Sequence, residues 1–348
     1  MKKSCVRAPE VGFFTLKYFF AVKSALRINL HVLTSFRSLV LNNSFLRGTL
    51  QYQPGMDKQE LTALLSLLDD PDKDVFSQVR QKLLSLGTQA IPALESMWEQ
   101  SFDTNIQTKV ENIIHVIQLN NTVQALREWA SSPEQNLLAG ALLIAKYQYP
   151  DLNTDKVRRT IQQIRQDIWL ELNDKLTALE QVKIINHILF DVHLLSGNTQ
   201  NYHAPQNSYI NNVLESKKGN PLSLSLVYLI VAQDLKIPIF GVNLPEHFVL
   251  CYKDVHQLMS VRTKRDEEMI AKGILFYINP FSKGAVFGKG QLDIYLKKMN
   301  LKIQQDHYQP CTNLEMIKRL LRNLVFSYKK LGYAEKQEEI QSLLDAIS

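Results

Sequence analysis

Between Met56 and Asn120, apolar residues recur at the three- and four-residue spacing of an amphipathic helix, as at Val75, Val79 and Leu83. Such spacing places the apolar side chains on one face, so it predicts a run of packed helices. The Asp-Asp-Pro-Asp sequence at 69–72 predicts a helix stop and restart, because acidic residues favour a helix N-terminus.

This first helical stretch, residues 56–120, contains one unit with the pattern LLDDPD, VR, LL, LG and AIPAL. The unit resembles a HEAT-type repeat, in which paired helices stack to bury a shared face. A small helical bundle of another kind would give the same periodicity, so both interpretations stand. In either case we expect a short helical region rather than a long solenoid.

Residues 121–297 begin as further amphipathic helices and then change character. After a polar stretch at 197–207, alternating or apolar runs predict strands at Ile237–Asn243, Glu246–Tyr252 and Ile274–Asn279. The pattern returns to helix over residues 310–348, where the turn at Leu331–Ala334 resembles a helix-turn-helix unit of tetratricopeptide type. One such unit cannot bury its own apolar face, so we expect it to dock on the core. The predicted fold class is therefore α+β and predominantly helical, with a small antiparallel sheet.

Charge is distributed unevenly along the 348 residues. The whole chain has a net charge of +6, but residues 1–55 hold eight Lys or Arg against one acid, so the remaining 293 residues carry −1. The basic character therefore lies in the leader, and it gives little reason to expect a nucleic-acid partner.

Residues 1–55 form a basic, apolar leader that is open to three interpretations. The apolar stretch at 11–22 is broken by Lys17 and is shorter than the roughly 20 residues of a membrane span. We favour translated upstream sequence, with the functional protein starting at Met56. A membrane-surface helix and a targeting segment are the alternatives, and we expect no stable membrane insertion.

The cysteines give no support for a disulfide framework or a metal site. Cys5, Cys251 and Cys311 are far apart and form no CxxC pair, which is typical of a reducing compartment. The cluster of His187, His193 and His203 lacks the spacing of a zinc site. We therefore expect a cytoplasmic protein without a bound metal or cofactor.

Three segments carry the candidate chemistry. Asn220 and Pro221 begin an almost entirely apolar stretch, as expected of a buried helix, because Asn is a good N-cap and Pro suits the first turn. His247 opens the next predicted strand and Asn279 closes the one after it. A helix start, a histidine and an orienting Asn or Asp occur in this order in papain-type sites, where the helix start carries a cysteine.

Residues 207–252, with the segments 142–152, 185–198 and 276–287, resemble the SirB-type branch of the transglutaminase-like superfamily. The resemblance covers roughly residues 125–290 and implies a papain-type core. It aligns Pro221 with the catalytic cysteine and Asn279 with an Asp-Pro-Phe aspartate. Proline has no nucleophilic group, so the resemblance implies a degenerate site made of Pro221, His247 and Asn279.

Two functions follow as expectations. The first is a non-catalytic protein-interaction or regulatory module with a protein partner. The second is an amide hydrolase or acyl-transferase that uses Ser223 or Ser225 with His247, since a Ser–His arrangement is chemically possible. Against the second, small hydroxyls near a helix start often bond to the backbone.

Overall fold

The structure is a computed structural model that describes residues 58–254, 273–298 and 308–348. These residues all fall within one compact unit, whereas the leader at 1–55 lies outside the described residues. The α-helices in the described ranges are α1 Lys58–Ser66, α2 Lys73–Leu86, α3 Ile91–Gln100, α4 Thr104–Ser131, α5 Leu137–Gln148, α6 Thr154–Glu171, α7 Ala178–Asn186, α8 Ile210–Ser216, α9 Pro221–Asp234, α10 Lys289–Lys298, α11 Asn313–Leu331 and α12 Ala334–Asp345.

The main sheet has five antiparallel strands in the order β6-β5-β4-β3-β7, and a short parallel pair, β1-β2, lies apart from it. The strands are β1 Ser196–Gly197, β2 Lys218–Gly219, β3 Ile239–Leu244, β4 His247–Lys253, β5 Ile274–Asn279, β6 Ala285–Phe287 and β7 Pro310–Cys311. The predicted class, predominantly helical α+β with a small antiparallel sheet, is confirmed. Strands β3 to β5 lie within two residues of their predicted positions.

Helix α9 is the centre of the fold. Its residues from Pro221 to Ala232 are all buried, which explains why the sequence of this helix is apolar on every side. Its apolar side chains share one core with Phe248 and Leu250 of the sheet, while alternate strand residues such as Val249 and Cys251 pack on the opposite face with α10. The sheet is therefore covered on both faces.

A single helix joins the N-terminal helices to the main core. The predicted boundary between residues 120 and 121 falls in the middle of α4, which runs without interruption from Thr104 to Ser131. Its Val110 and Ile117 belong to an apolar cluster with α2 and α3, whereas Leu126 and Trp129 belong to the main core. The polar residues Asn120, Asn121 and Thr122 do not end the helix, because none of them is Pro or Gly. The HEAT-like interpretation stays a prediction.

The C-terminal helices α11 and α12 form a hairpin that packs on the core. Gly332 ends α11 in the left-handed conformation, at a φ of 78°, as expected of a helix C-cap. Ile317, Leu320 and Leu324 of α11 are almost fully buried in the main core. The expected docking of this unit is thus present. Among the described helices, none combines the length and apolarity needed to cross a membrane.

Candidate functional site

The start of α9 is held by a capping box. The Oδ1 atom of Asn220 accepts the Ser223 N–H at 2.9 Å, and the Ser223 Oγ accepts the Asn220 N–H at 2.9 Å. The Nδ2 of Asn220 also donates to the Ser208 Oγ at 3.0 Å. Pro221 occupies the first helical position, where its missing N–H leaves no bond unmade. The predicted N-cap is therefore present, and it is strengthened by bonds that the sequence did not reveal.

Both candidate serines are committed to this local structure. Ser223 is 2% exposed, and Ser225 is fully buried and donates its hydroxyl proton to the Pro221 carbonyl at 2.7 Å. Ser223 makes the capping bond and also contacts the Asn220 carbonyl at 3.2 Å. Neither serine is among the residues that line the pocket beside the helix start. These bonds match the backbone role that small hydroxyls take near helix starts.

A pocket of about 630 Å³ opens beside the helix start. Its wall combines the start of α9, the turn between β3 and β4, the loop before α8 and one face of α11. The lining residues are Tyr202, His203, Asn220, Pro221, Leu222, Glu246, His247, Phe248, Arg319, Asn323, Phe326 and Ser327. A pocket of this size and mixed lining is typical of a ligand-binding site.

His247 and Asn279 meet as the sheet register requires. Leu250 of β4 pairs with Ile278 of β5, so the antiparallel register brings Asn279 diagonally beside His247. Burial lowers the pKa of His247 below its ordinary value of 6.5, a hydrogen bond from the ring to Asn279 opposes that shift, and the Arg319 charge adds to it. The net shift favours the neutral form of the ring. Asn279 itself does not line the pocket.

The structure therefore brings together two of the three residues of the predicted degenerate site at one pocket, Pro221 and His247, with Asn279 behind the histidine. A histidine held by an amide side chain can accept a proton from a nucleophile. The helix start opposite it offers a proline ring instead of a thiol. The pocket thus presents the Pro221 ring and the His247 imidazole to a ligand.

Neither thiol in the described residues lines the pocket. Burial is the main cause that raises the pKa of both Cys251 and Cys311 to about 12. At neutral pH both therefore remain protonated and unreactive. Cys251 lies on the face of the sheet that packs against α10.

The three histidines of the sequence cluster are separated in the fold. His193 contacts the Asp167 carboxylate at 2.7 Å, His187 lies 3.4 Å from Asp191, and His203 lies in the pocket against the Phe326 ring. In the ranges 58–254, 273–298 and 308–348, no three metal-ligating side chains converge on one point.

Sequence reasoning missed the wall that α11 contributes. Arg319, Asn323, Phe326 and Ser327 are spaced as one helical stripe, but this spacing is interleaved with the buried stripe of the same helix. The polar residues Arg319, Asn323 and Ser327 recur every four residues, but this spacing alone does not indicate that they line a pocket. Nothing local in the sequence shows that this face meets a helix start about 100 residues earlier.

Comparison with known protein families matches part of this chain. Residues 155–322 match the model of the transglutaminase-like superfamily. This match runs from the second residue of α6 to the middle of α11. Nine of the twelve pocket-lining residues lie within it, whereas Asn323, Phe326 and Ser327 lie beyond its end.

Individual proteins also show similarity to this chain. The chain is 36% identical to a UPF0162 protein of Xylella fastidiosa over 114 residues, which are 33% of this chain and 41% of that protein. It is 29% identical to F-box only protein 21 of Mus musculus over 160 residues, 46% of this chain and 23% of that protein. The chain thus spans less than half the length of both relatives. No solved structure matches it.

Proposed function

We propose that this chain is a non-catalytic relative of the transglutaminase-like enzymes, of the SirB-type branch, that binds a segment of a partner protein in the pocket at the start of α9. The observation that carries the proposal is Pro221, which lines an accessible pocket beside His247 where papain-type enzymes require a thiol. The site has an open pocket and a histidine, but a proline stands at the position that the resemblance assigns to the nucleophile.

The walls of the pocket suit a protein segment. Phe326 is 55% exposed and Tyr202 is 38% exposed, so the rim offers aromatic surface of the kind that dominates protein contacts. We expect the protein to act in the cytoplasm as an interaction or regulatory module, independently of nucleic acid, metal or cofactor.

Photo-crosslinking tests the binding proposal directly. A photoreactive phenylalanine placed at Phe326 should capture a protein partner in cells. The same group at Phe102, which is fully exposed in the connection between α3 and α4, is the matched control. Filling the pocket with Asn323→Trp should abolish the adduct at 326. Equal adducts at 326 and 102, or an adduct that survives Asn323→Trp, would contradict the proposal.

The competing function is an amide hydrolase or acyl-transferase with Ser223 or Ser225 as nucleophile. Labelling by a serine-directed fluorophosphonate distinguishes the two. The non-catalytic proposal expects no labelling of the folded protein, because both hydroxyls are buried and bonded to the backbone. Labelling that disappears in Ser223→Ala or Ser225→Ala, and also in His247→Ala, would favour the enzyme.

A further inference from the structure

The face of α11 that lines the pocket carries three hydrogen-bonding side chains on one stripe, namely Arg319, Asn323 and Ser327. They lie four residues apart, so they follow one another along one side of the helix. In the part of the chain that the structure describes, no hydrogen bond or ion pair joins their side chains to another residue. Asn323 and Arg319 are half-buried and Ser327 is 6% exposed. Buried polar groups normally have hydrogen-bond partners. Because these side chains line the pocket and have no such partner, their polar groups are available to a ligand.

Arg319 is the strongest of these groups. Burial is the main cause that lowers the pKa of its guanidinium, and the charge of Arg322 acts in the same direction. A half-buried cation without a carboxylate against it has lost hydration that nothing in the described chain replaces. A ligand anion would restore that stabilisation.

The acids that stand nearest in sequence and space are not partners of Arg319. Glu315 lies one turn earlier on α11, but its Oε2 accepts the Thr312 N–H at 2.6 Å in the capping box of the same helix. Glu246 acts on Arg319 only through longer-range attraction and is itself exposed at the pocket rim. The guanidinium therefore keeps its fork of donors for a bound group.

We infer that the pocket recognises a carboxylate, held by Arg319 and Asn323, on a protein segment that also places an apolar group against Phe326 and Phe248. A guanidinium binds a carboxylate through two parallel N–H···O bonds, and an amide N–H can bind the same oxygens. The inference rests on the proposed binding function and adds the chemistry of the ligand. The carboxylate would come from a glutamate or aspartate side chain of the partner.

A matched pair of small probes isolates the charge. The probes are 3-phenylpropanoate and 3-phenylpropanamide, which share an aromatic body and differ only in the carboxylate. Binding is followed by NMR chemical shifts of the protein. The acid should bind about tenfold to a hundredfold more tightly than the amide, the range expected for hydrogen bonds to a charged group. Equal binding of the two probes, or no binding of the acid, overturns the inference.

Substitutions identify the side chain responsible. Arg319→Met keeps most of the apolar stem and should remove the preference for the acid, whereas Arg319→Lys should keep part of it, because an ammonium lacks the planar fork. The control is Arg322→Met on the exposed side of the same helix, which should leave the preference unchanged. An equal loss in both variants would show general charge attraction and would overturn the inference.

Peptides then identify the source of the carboxylate. A capped peptide with an internal glutamate is compared with the same peptide carrying glutamine, and with a glutamine peptide that has a free C-terminal acid. The internal glutamate should bind best. Tighter binding of the free C-terminus would overturn the side-chain source. A partner adduct at 326 that persists in Arg319→Met would leave the proposed function standing and remove only the carboxylate.

Discussion

The two walls of the pocket differ in the interactions that their residues make. The helix wall, at Asn220 and Pro221, is a proline held within a complete capping box. The strand wall has His247, whose ring is hydrogen-bonded to the Asn279 amide behind it. The polar groups at the helix start are bonded to one another and to the backbone, whereas the ring of His247 faces the pocket. The two walls therefore offer a ligand different chemistry.

The largest expected effect comes from returning a thiol to the helix wall. Pro221→Cys should create a cysteine that iodoacetamide alkylates at pH 6.5 roughly tenfold faster than an ordinary thiol, because the helix start and the nearby histidine both favour the thiolate. Mass spectrometry of the labelled protein gives the rate.

The control for this experiment is Thr154→Cys, at the first position of α6, another helix with an Asn N-cap but without a histidine described beside it. Adding His247→Ala to Pro221→Cys should slow the reaction. If the rate does not depend on His247, the two walls do not act on one point.

Removing the cap of α9 is the second test. Asn220→Ala should reduce the free energy of unfolding by roughly 2–4 kcal/mol, since it leaves the buried Ser223 N–H without its acceptor and the Ser208 hydroxyl without its donor. Asn153→Ala, at the exposed cap of α6, should cost only about 1 kcal/mol. Urea denaturation measures both. Similar losses would mean that the helix wall is not specially stabilised.

The pKa of His247 should change in a defined direction when each of its neighbours is substituted. NMR titration should give His247 a pKa below 6.5, because burial lowers it. Asn279→Ala should lower this pKa further, since the lost hydrogen bond favoured the charged ring, and Arg319→Met should raise it. An unchanged His247 pKa in Asn279→Ala would contradict the hydrogen bond between the two side chains.

The lowered pKa of His247 also makes the stability of the folded protein depend on pH. A histidine that is harder to protonate in the folded protein than in the unfolded chain makes the unfolded state bind more protons in acid. The contribution of His247 to stability is therefore present above pH 6.5 and is lost as the pH falls from 6.5 through the lowered pKa of the folded protein.

The smallest effect is expected at the turn between the two central strands. Glu246 has a φ of 56°, a conformation that costs a non-glycine residue energy. Glu246→Gly should raise the free energy of unfolding by about 0.5–1 kcal/mol, because the relief exceeds the added freedom of the unfolded chain. Lys217→Gly, at a φ of 61° after α8, is the control away from the pocket. A larger gain at Glu246 than at Lys217 would indicate extra strain at the rim.

The elements that position the histidine pair could be predicted from the sequence, because their signals are local. Asn220 and Pro221 mark a helix start by type alone, and the alternation after His247 marks a strand. Strands β6 and β7 and helix α10 were missed, since they are too short or too mixed for a clear period. The chemistry of the pocket was missed for a different reason. It depends on α11 meeting α9 across about 100 residues of chain, and only tertiary packing decides that contact.

Helix α4 has a practical consequence for dissecting this protein. Because it contributes Ile117 to one apolar cluster and Leu126 to the other, it belongs to both at once. A shortened protein that starts at residue 121 would keep only the last part of α4, and apolar residues of the main core that α4 covers would be exposed to solvent. Any truncation meant to isolate the pocket should keep the chain from Lys58 onward, so that both clusters remain intact.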